Sequence, residues 1–137
     1  MARRTVSIEK IGPGRFRATN ERGAQITIGM GEDDDFVPGE LLLAAIGSCS
    51  GIDVDILTSR RADATTFRIE VGGEKVRDEH GNHMIDLEVS FDVQFADGEA
   101  GDAAREVLPK AVERSRTSLC TVGRTVELGT PIKDVLR

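Results

Sequence analysis

The feature that most constrains the fold is a long segment, Leu41 to about Arg61, that contains no proline. Pro38 stands just before it and Glu40 falls in its first turn, which is typical of a helix N-terminus. The run from Leu41 to Ile46 is apolar on every side of a helix, so we expect the fold to enclose it. The sequence therefore predicts one long helix, with its apolar part inside.

Two glycines interrupt this predicted helix, in the sequence Gly47-Ser48-Cys49-Ser50-Gly51. Each glycine costs roughly 1 kcal/mol relative to alanine in a helix interior. Close approach by another element is the usual reason that such a cost is tolerated. We expect a second helix or a second subunit to pack against this point.

The residues before the helix alternate between apolar and polar in three short segments. Residues 4–11, 15–19 and 25–28 are separated by turn sequences, which predicts a three-stranded antiparallel sheet. The acidic stretch at 31–35 is expected to be a solvated loop. The chain thus begins with an all-β segment.

The residues after the helix predict a second hairpin. Residues 67–71 and 84–95 alternate around a turn. A second helix is expected at 101–117, with Pro109 near its middle, and a last strand at 125–128. The order of three strands, helix, two strands, helix and strand predicts an α+β fold.

Length and charge limit the functions to consider. A chain of 137 residues is the size of one domain, so we predict a single domain over 1–137. A net charge of -6 with scattered basic residues argues against nucleic-acid binding. The sequence shows no signal peptide, and its longest apolar run is far shorter than the roughly 20 residues that cross a bilayer. We expect a cytoplasmic protein with no membrane partner.

The two cysteines, Cys49 and Cys120, lie far apart in the sequence. Permanent disulfides are disfavoured in a reducing cytoplasm, so the pair is either two buried hydrophobic residues or a transient redox couple. Arginines at 114, 116 and 124 surround Cys120 in sequence, either as cations near the thiol or as a solvated face. His80 and His83 lack a third ligand at metal-like spacing, so no metal site is expected.

Two segments of the chain resemble the signatures of the OsmC/Ohr family, the osmotically inducible and organic hydroperoxide resistance proteins. The first is Pro38-Gly39-Glu40-Leu41-Leu42-Leu43-Ala44-Ala45-Ile46-Gly47-Ser48-Cys49-Ser50. The second is Ser118-Leu119-Cys120-Thr121-Val122-Gly123-Arg124-Thr125. The resemblance implies an OsmC-like α+β fold, with antiparallel sheets packed around a long central helix in an intertwined homodimer.

The resemblance also implies a site at the subunit interface. Cys49 matches the cysteine that attacks the peroxide, and Cys120 the cysteine that resolves the product as a disulfide. Glu40, nine residues before Cys49, matches the family's glutamate. The family's arginine is best matched by Arg15, with Arg17 as the alternative.

These residue types suit peroxide chemistry. Only a thiolate attacks the peroxide oxygen, and a guanidinium such as that of Arg15 would favour the thiolate and the departing alkoxide. Glu40 would hold that guanidinium by a bidentate pair. The sulfenic acid left on Cys49 would condense with Cys120, and an external dithiol would reduce the disulfide. In the family this reductant is usually lipoyl-type, and no bound cofactor is expected.

Helix geometry separates Glu40 from Cys49. Nine residues along an α-helix rise about 13.5 Å and end on the opposite face. Glu40 therefore either precedes the helix and folds back or reaches the site of the partner subunit. On its own, a carboxylate in the first turn also simply stabilises the helix dipole.

The leading functional hypothesis is a thiol peroxidase that reduces organic hydroperoxides to alcohols and so defends the cell against oxidative stress. The alternative is a non-enzymatic redox sensor or small-ligand binder of the same fold. A third, weaker reading is a dimeric scaffold whose cysteines only pack.

Overall fold

A computed structural model describes residues 2–137 of the chain. It contains two antiparallel sheets and one long helix, which confirms the predicted α+β fold. The residues form two compact units, one ending at Leu42 and the other running from Leu43 to Arg137. The single domain over 1–137 stays a prediction.

The first unit is built on a three-stranded antiparallel sheet, as predicted. Its strands are β1 (Val6–Gly12), β2 (Arg15–Asn20) and β3 (Gln25–Ile28), in the order β1-β2-β3. Ile8 pairs with Ala18, and Ala18 pairs with Ile26, so apolar side chains share one face of the sheet. Gly14 has a φ of 65°, a left-handed conformation that suits glycine in the turn between β1 and β2.

The predicted long helix is α1, which runs from Pro38 to Ser59. Our expectation that its apolar beginning is enclosed is wrong, because Leu42 remains 37% exposed and Ala44 is exposed too, and further along the helix Ile52 remains 61% exposed. One face is buried along most of the length instead, and its members are Ile46, Gly47, Ser50, Gly51, Val54 and Thr58. Small residues on this face allow a close neighbour, whereas the larger apolar side chains at Leu42 and Ile52 point away from it.

The close neighbour of the two helix glycines is a strand of the second unit. A Cβ atom on Gly47 would lie 2.5 Å from Cγ2 of Val71, and one on Gly51 would lie 2.6 Å from Cδ1 of Ile69. The predicted close approach is confirmed, but the element is a β-strand rather than a second helix or subunit. By length and mean hydropathy alone α1 could also cross a membrane, a test that core helices of soluble proteins pass too.

That strand belongs to the second predicted hairpin, formed by β4 (Thr66–Asp78) and β5 (Gly81–Gln94). The pairing runs from Thr66 with Gln94 to Asp78 with Gly81. A hydrophobic core forms where the hairpin meets the next helix, with Val93, Phe95 and Ala104 buried at its centre. Phe67, Phe91 and Leu108 pack around them.

Between Glu99 and Leu128 the chain is helical except at Cys120. Helix α2 (Glu99–Arg114) continues into a π-helical turn (Ser115–Leu119), and α3 (Thr121–Leu128) follows. The predicted last strand at 125–128 is therefore wrong. The short alternating pattern is overridden by helix caps, with the side chain of Cys120 accepting from an amide at the start of α3 and Gly129 in a left-handed conformation at its end.

Replacing Gly47 by alanine should destabilise the protein. The added methyl group would meet the stiff, β-branched side chain of Val71, and overpacking of this kind costs about 1–3 kcal/mol. The gain in helix propensity is only about 1 kcal/mol. We expect a net loss in the free energy of unfolding, measured by urea denaturation, and a smaller loss for Gly51→Ala, which meets the flexible end of Ile69.

Gly72→Ala is the control, because a Cβ atom at Gly72 meets nothing within 4 Å. Equal stability of the Gly47→Ala and Gly72→Ala proteins would contradict the close packing of α1 on β4.

Candidate active site

The structure brings the two cysteines together. Cys49 lies on α1 and is partly exposed, whereas Cys120 follows the π-helical turn and is 0% exposed. Both are free thiols, and they lie close enough for Cys120 to raise the pKa of Cys49 and for Cys49 to lower the pKa of Cys120. The two thiols therefore lie near each other, with Cys49 partly exposed and Cys120 buried.

Cys120 is held in place by the backbone on both of its sides. Its own N–H donates to the carbonyl of Ser115 at 2.8 Å, five residues back, which closes the π-helical turn. Its sulfur accepts from the N–H of Gly123 at 3.2 Å, in the first turn of α3. The thiol thus replaces the usual hydroxyl or carboxylate of a helix N-cap.

Two side chains extend this arrangement toward α1. The hydroxyl of Ser50, which is buried beside Cys49, lies 3.6 Å from the sulfur of Cys120 and donates to it. Arg116 donates from Nη2 to the oxygen of Ser50 at 3.0 Å. A guanidinium, a hydroxyl and a thiol therefore form a continuous chain of hydrogen bonds.

Arg116 is also anchored to α3. Its Nε lies 4.0 Å from Oε1 of Glu127, and Glu127 in turn pairs with Arg124 at 2.9 Å. Arg124 also donates to the backbone carbonyl of Arg116 at 3.4 Å. The guanidinium of Arg116 is therefore held between α1 and α3.

These contacts make the two thiols unequal. Burial opposes ionisation of Cys120, but the Gly123 amide, the Cys49 thiol, Ser50 and Arg116 together outweigh it, so the pKa of Cys120 is lowered. Burial raises the pKa of Cys49, and the charges of Cys120 and Asp53 raise it further, while the backbone of Val122 opposes part of this rise. A single negative charge on the pair is best placed on Cys120.

Asp53 links α1 to the π-helical turn. Its Oδ2 accepts from the hydroxyl of the buried Ser115 at 2.8 Å. The same residue supplies the negative charge that Cys49 experiences from its own helix.

A pocket of about 440 Å³ lies beside this cluster. Arg116 and Gly123, which both neighbour Cys120, form part of its wall, as does Glu127. Most of the remaining wall is apolar and consists of Ile46, Leu87, Val89, Phe91, Pro109, Val112 and Val126. A largely apolar ligand with one polar end fits such a lining.

The other predicted site residues, Arg15, Arg17 and Glu40, lie in the first unit, and Arg15 and Glu40 have hydrogen-bond partners there. Arg15 donates from Nη2 to Asp35 at 2.8 Å, and its Nε lies 3.3 Å from Asp33; these carboxylates, Asp35 first, raise the pKa of Arg15. Asp33 and Asp35 thus bind a side chain, in a loop that was predicted to be simply solvated. Arg17 lies two residues further along β2.

Glu40 occupies the first turn of α1, and its Oε1 accepts from the N–H of Val37 at 2.9 Å. It acts there as a helix-capping carboxylate. The alternative that Glu40 belongs to a loop before the helix is wrong, because Glu40 is helical.

Sequence reasoning missed Ser50, and it did not separate Arg116 from the other two arginines near Cys120, all three being either cations near the thiol or a solvated face. Ser50 appeared only as part of a small-residue cluster, although it directly follows Cys49. Arg116 lies four residues before Cys120, a spacing typical of neighbours on a helix, and this was the one available signal.

Replacing Asp53 by asparagine should make Cys49 more reactive. Asparagine can still accept from Ser115, but it removes the negative charge that raises the pKa of Cys49. Because this charge is the weakest of the causes, we expect an increase of about twofold in the rate of Cys49 alkylation near neutral pH. Iodoacetamide labelling followed by peptide mass spectrometry measures this rate.

Asp55→Asn serves as the control, since Asp55 is an exposed carboxylate two residues further along α1. Equal labelling rates in the two variants would contradict an effect of Asp53 on Cys49.

Comparison with known proteins agrees with the fold and with the two signatures. A family model described as OsmC-like protein matches residues 31–133, about three quarters of the chain. An uncharacterised protein from Mycobacterium tuberculosis is 32% identical over 127 residues, which cover 91% of this chain and 90% of the relative.

Two solved structures are similar along most of their length. A hypothetical protein from Aquifex aeolicus has a TM-score of 0.76 and 27% identity, with 95% of this chain and 91% of that chain covered. An organic hydroperoxide resistance protein from Elizabethkingia anophelis has a TM-score of 0.55 and 13% identity, with 86% and 91% covered, and so shares the fold. The resemblance read from the sequence is confirmed, and the chain belongs to the OsmC-like protein family.

Proposed function

We propose that this protein is a cysteine-based thiol peroxidase that reduces organic hydroperoxides to alcohols through a Cys49–Cys120 disulfide. The observation that carries the proposal is the proximity of two free thiols, one partly exposed and one buried, beside a largely apolar pocket. Its biological role would be defence against oxidative stress in the cytoplasm.

The accessible sulfur is the better candidate for the attack. Cys49 is partly exposed, whereas Cys120 is fully buried. As the sulfur of Cys49 bonds to the terminal peroxide oxygen, the O–O bond breaks and the alkoxide takes up a proton to become the alcohol. Cys120 can accept the proton of Cys49 as the attack begins and give it to the alkoxide, which leaves Cys120 as a thiolate again.

The second step closes the disulfide. The sulfur of Cys120 attacks the sulfenic sulfur of Cys49, an S–S bond forms, and hydroxide leaves and is protonated to water. An external dithiol, which we propose to be lipoyl-type, then returns both thiols by exchange and is itself oxidised to a disulfide. The cycle needs no bound cofactor.

Arg15, with Arg17 as the alternative, and Glu40 complete the proposed site on the strength of the family resemblance. Two carboxylates already bind Nε and Nη2 of Arg15, so a role at a cysteine would use its remaining donors. Because Glu40 and Cys49 lie half a turn out of phase on one helix, we propose that Glu40 serves the cysteine of a partner subunit.

The partner would be a second copy of the chain in a homodimer. Large apolar side chains remain exposed on the sheet of the first unit, including Ile8 at 63%, and on α1, where Ile52 and Ile56 lie one turn apart. Apolar surface of this kind is unusual for a monomer and typical of an interface.

One observation favours the alternative of a redox sensor. The raised pKa of Cys49 leaves little thiolate at neutral pH, which would make reaction with peroxide slow. Mass spectrometry after one equivalent of peroxide separates this alternative from a ligand binder, because a sensor forms the Cys49–Cys120 disulfide and a binder leaves both thiols unchanged.

Replacing Cys49 and replacing Cys120 should affect different steps of the reaction. Cys49→Ser should lower steady-state reduction of cumene hydroperoxide with a dithiol by at least about 10³-fold, because the nucleophile is lost. Cys120→Ser should still release about one alcohol per chain in a single turnover but should form no intramolecular disulfide. Ser48→Ala, a change at an exposed neighbour on α1, should behave as the parent protein. Full activity of Cys49→Ser would refute the proposed peroxidase.

A charge on the apolar sheet face should dissociate the proposed dimer. Light scattering after size exclusion should give twice the chain mass for the parent protein and the single chain mass for Ile8→Glu, because a carboxylate would be buried at the interface. Ser7→Glu, on the other face of β1, should remain dimeric. A single-chain mass for the parent protein would refute the dimer.

A further inference from the structure

The direction of the hydrogen bonds around Cys120 is fixed by their chemistry. Arg116 is a donor only, so the oxygen of Ser50 must accept from it. The single hydrogen of Ser50 is then left for the sulfur of Cys120, 3.6 Å away. The Gly123 amide also donates to this sulfur, at 3.2 Å. The Ser50 hydroxyl and the Gly123 amide therefore both donate a hydrogen to the sulfur, which is the arrangement that a thiolate requires.

Gly123 makes room for the guanidinium. A Cβ atom at this position would collide with Nη1 of Arg116 and would lie 3.2 Å from the sulfur of Cys120. The first turn of α3 therefore accepts the cation only because residue 123 has no side chain. The positive end of this eight-residue helix and the guanidinium thus act on the same sulfur.

The charged and titratable groups around the pair come from three elements. Arg116 is contributed by the π-helical turn, Glu127 and Arg124 by α3, and Asp53 and Cys49 by α1. Glu127 is shared with Arg124, and Asp53 is bonded to Ser115. Arg116 is the charged group that connects to Cys120 through a buried hydroxyl.

We propose that Arg116 is a positioning residue that acts through Ser50 to hold Cys120 as the thiolate of the pair, ready to close the disulfide. The idea deepens the proposed function and rests on it, but it concerns an arginine outside the two family signatures. In this arrangement Cys49 is the thiol that the peroxide reaches, and Cys120 is the thiol that carries the negative charge.

The step that Arg116 serves is the closing of the disulfide. The thiolate of Cys120 gives an electron pair to the sulfenic sulfur of Cys49, the S–S bond forms and the S–O bond breaks. The departing hydroxide takes a proton from the solvent and leaves as water. Cys120 is oxidised and the sulfenic sulfur of Cys49 is reduced, so the step needs no further reagent.

Ionisation of Cys120 can be followed directly in a Cys49→Ser background. The chain contains no tyrosine or tryptophan and only two cysteines, so its far-ultraviolet thiolate absorbance then reports Cys120 alone. Adding Arg116→Met should move the titration step to higher pH, and Arg116→Lys should restore part of the shift. Arg114→Met, at an exposed arginine two residues earlier, should leave the titration unchanged.

Two further variants test the chain of hydrogen bonds from Arg116 through Ser50 to Cys120. Ser50→Ala removes the hydroxyl that transmits the effect, and Gly123→Ala displaces the guanidinium, so both should move the step in the same direction as Arg116→Met. Gly72→Ala, where an added methyl group meets nothing, is the control. Should Gly123→Ala fail to fold, Ser50→Ala still decides the matter.

The catalytic consequence is measured with both cysteines present. After a pulse of cumene hydroperoxide, Arg116→Met should close the disulfide about tenfold more slowly and accumulate more Cys49 sulfinic acid in mass spectra than the parent protein. Arg114→Met should match the parent protein.

Failure of the inference and failure of the proposed function are separable. If the titration step of Cys120 in Cys49→Ser is the same with and without Arg116→Met, the role of Arg116 is overturned, whatever the peroxidase activity. Full peroxidase activity of Cys49→Ser overturns the proposed function, whatever the titration shows.

Discussion

The packing of α1 directly onto β4 is the contact on which the cysteine site depends. Gly47 and Gly51 let the helix approach Val71 and Ile69 more closely than any side chain would allow. Since successive residues of an α-helix are turned by about 100°, this contact also fixes the rotation of the helix about its axis. Ser50, just before the second glycine, is thereby buried against Cys120 rather than turned to solvent.

The site itself separates two requirements that a single thiol would have to meet together. A reactive sulfur needs to be reached by its substrate, and it needs donors that stabilise its negative charge. Cys49 is accessible, but burial and nearby negative charge oppose its ionisation. Cys120 is inaccessible, but an amide, a hydroxyl and a guanidinium favour its thiolate. Each thiol shifts the pKa of the other, so the two titrations belong to the pair rather than to either residue alone.

Sequence reasoning predicted the parts of the fold that strong patterns encode. The long helix, both hairpins and the close contact at Gly47 followed from periodicity and from the cost of a glycine in a helix. The segment at 125–128 was misread because four alternating residues cannot outweigh caps that only become visible in three dimensions. The positions of Arg116 and of the carboxylates on Arg15 depend on tertiary contacts that no local pattern contains.

The π-helical turn makes this site sensitive to the insertion or deletion of a residue between Ser115 and Cys120. Its defining bond spans five residues, from the carbonyl of Ser115 to the N–H of Cys120, so the turn holds one residue more than an α-helix would. Loss of a single residue there would let ordinary helical bonding continue and would rotate the following chain by about 100°. Related chains that keep a cysteine pair of this kind should therefore tolerate substitutions in the turn far better than insertions or deletions.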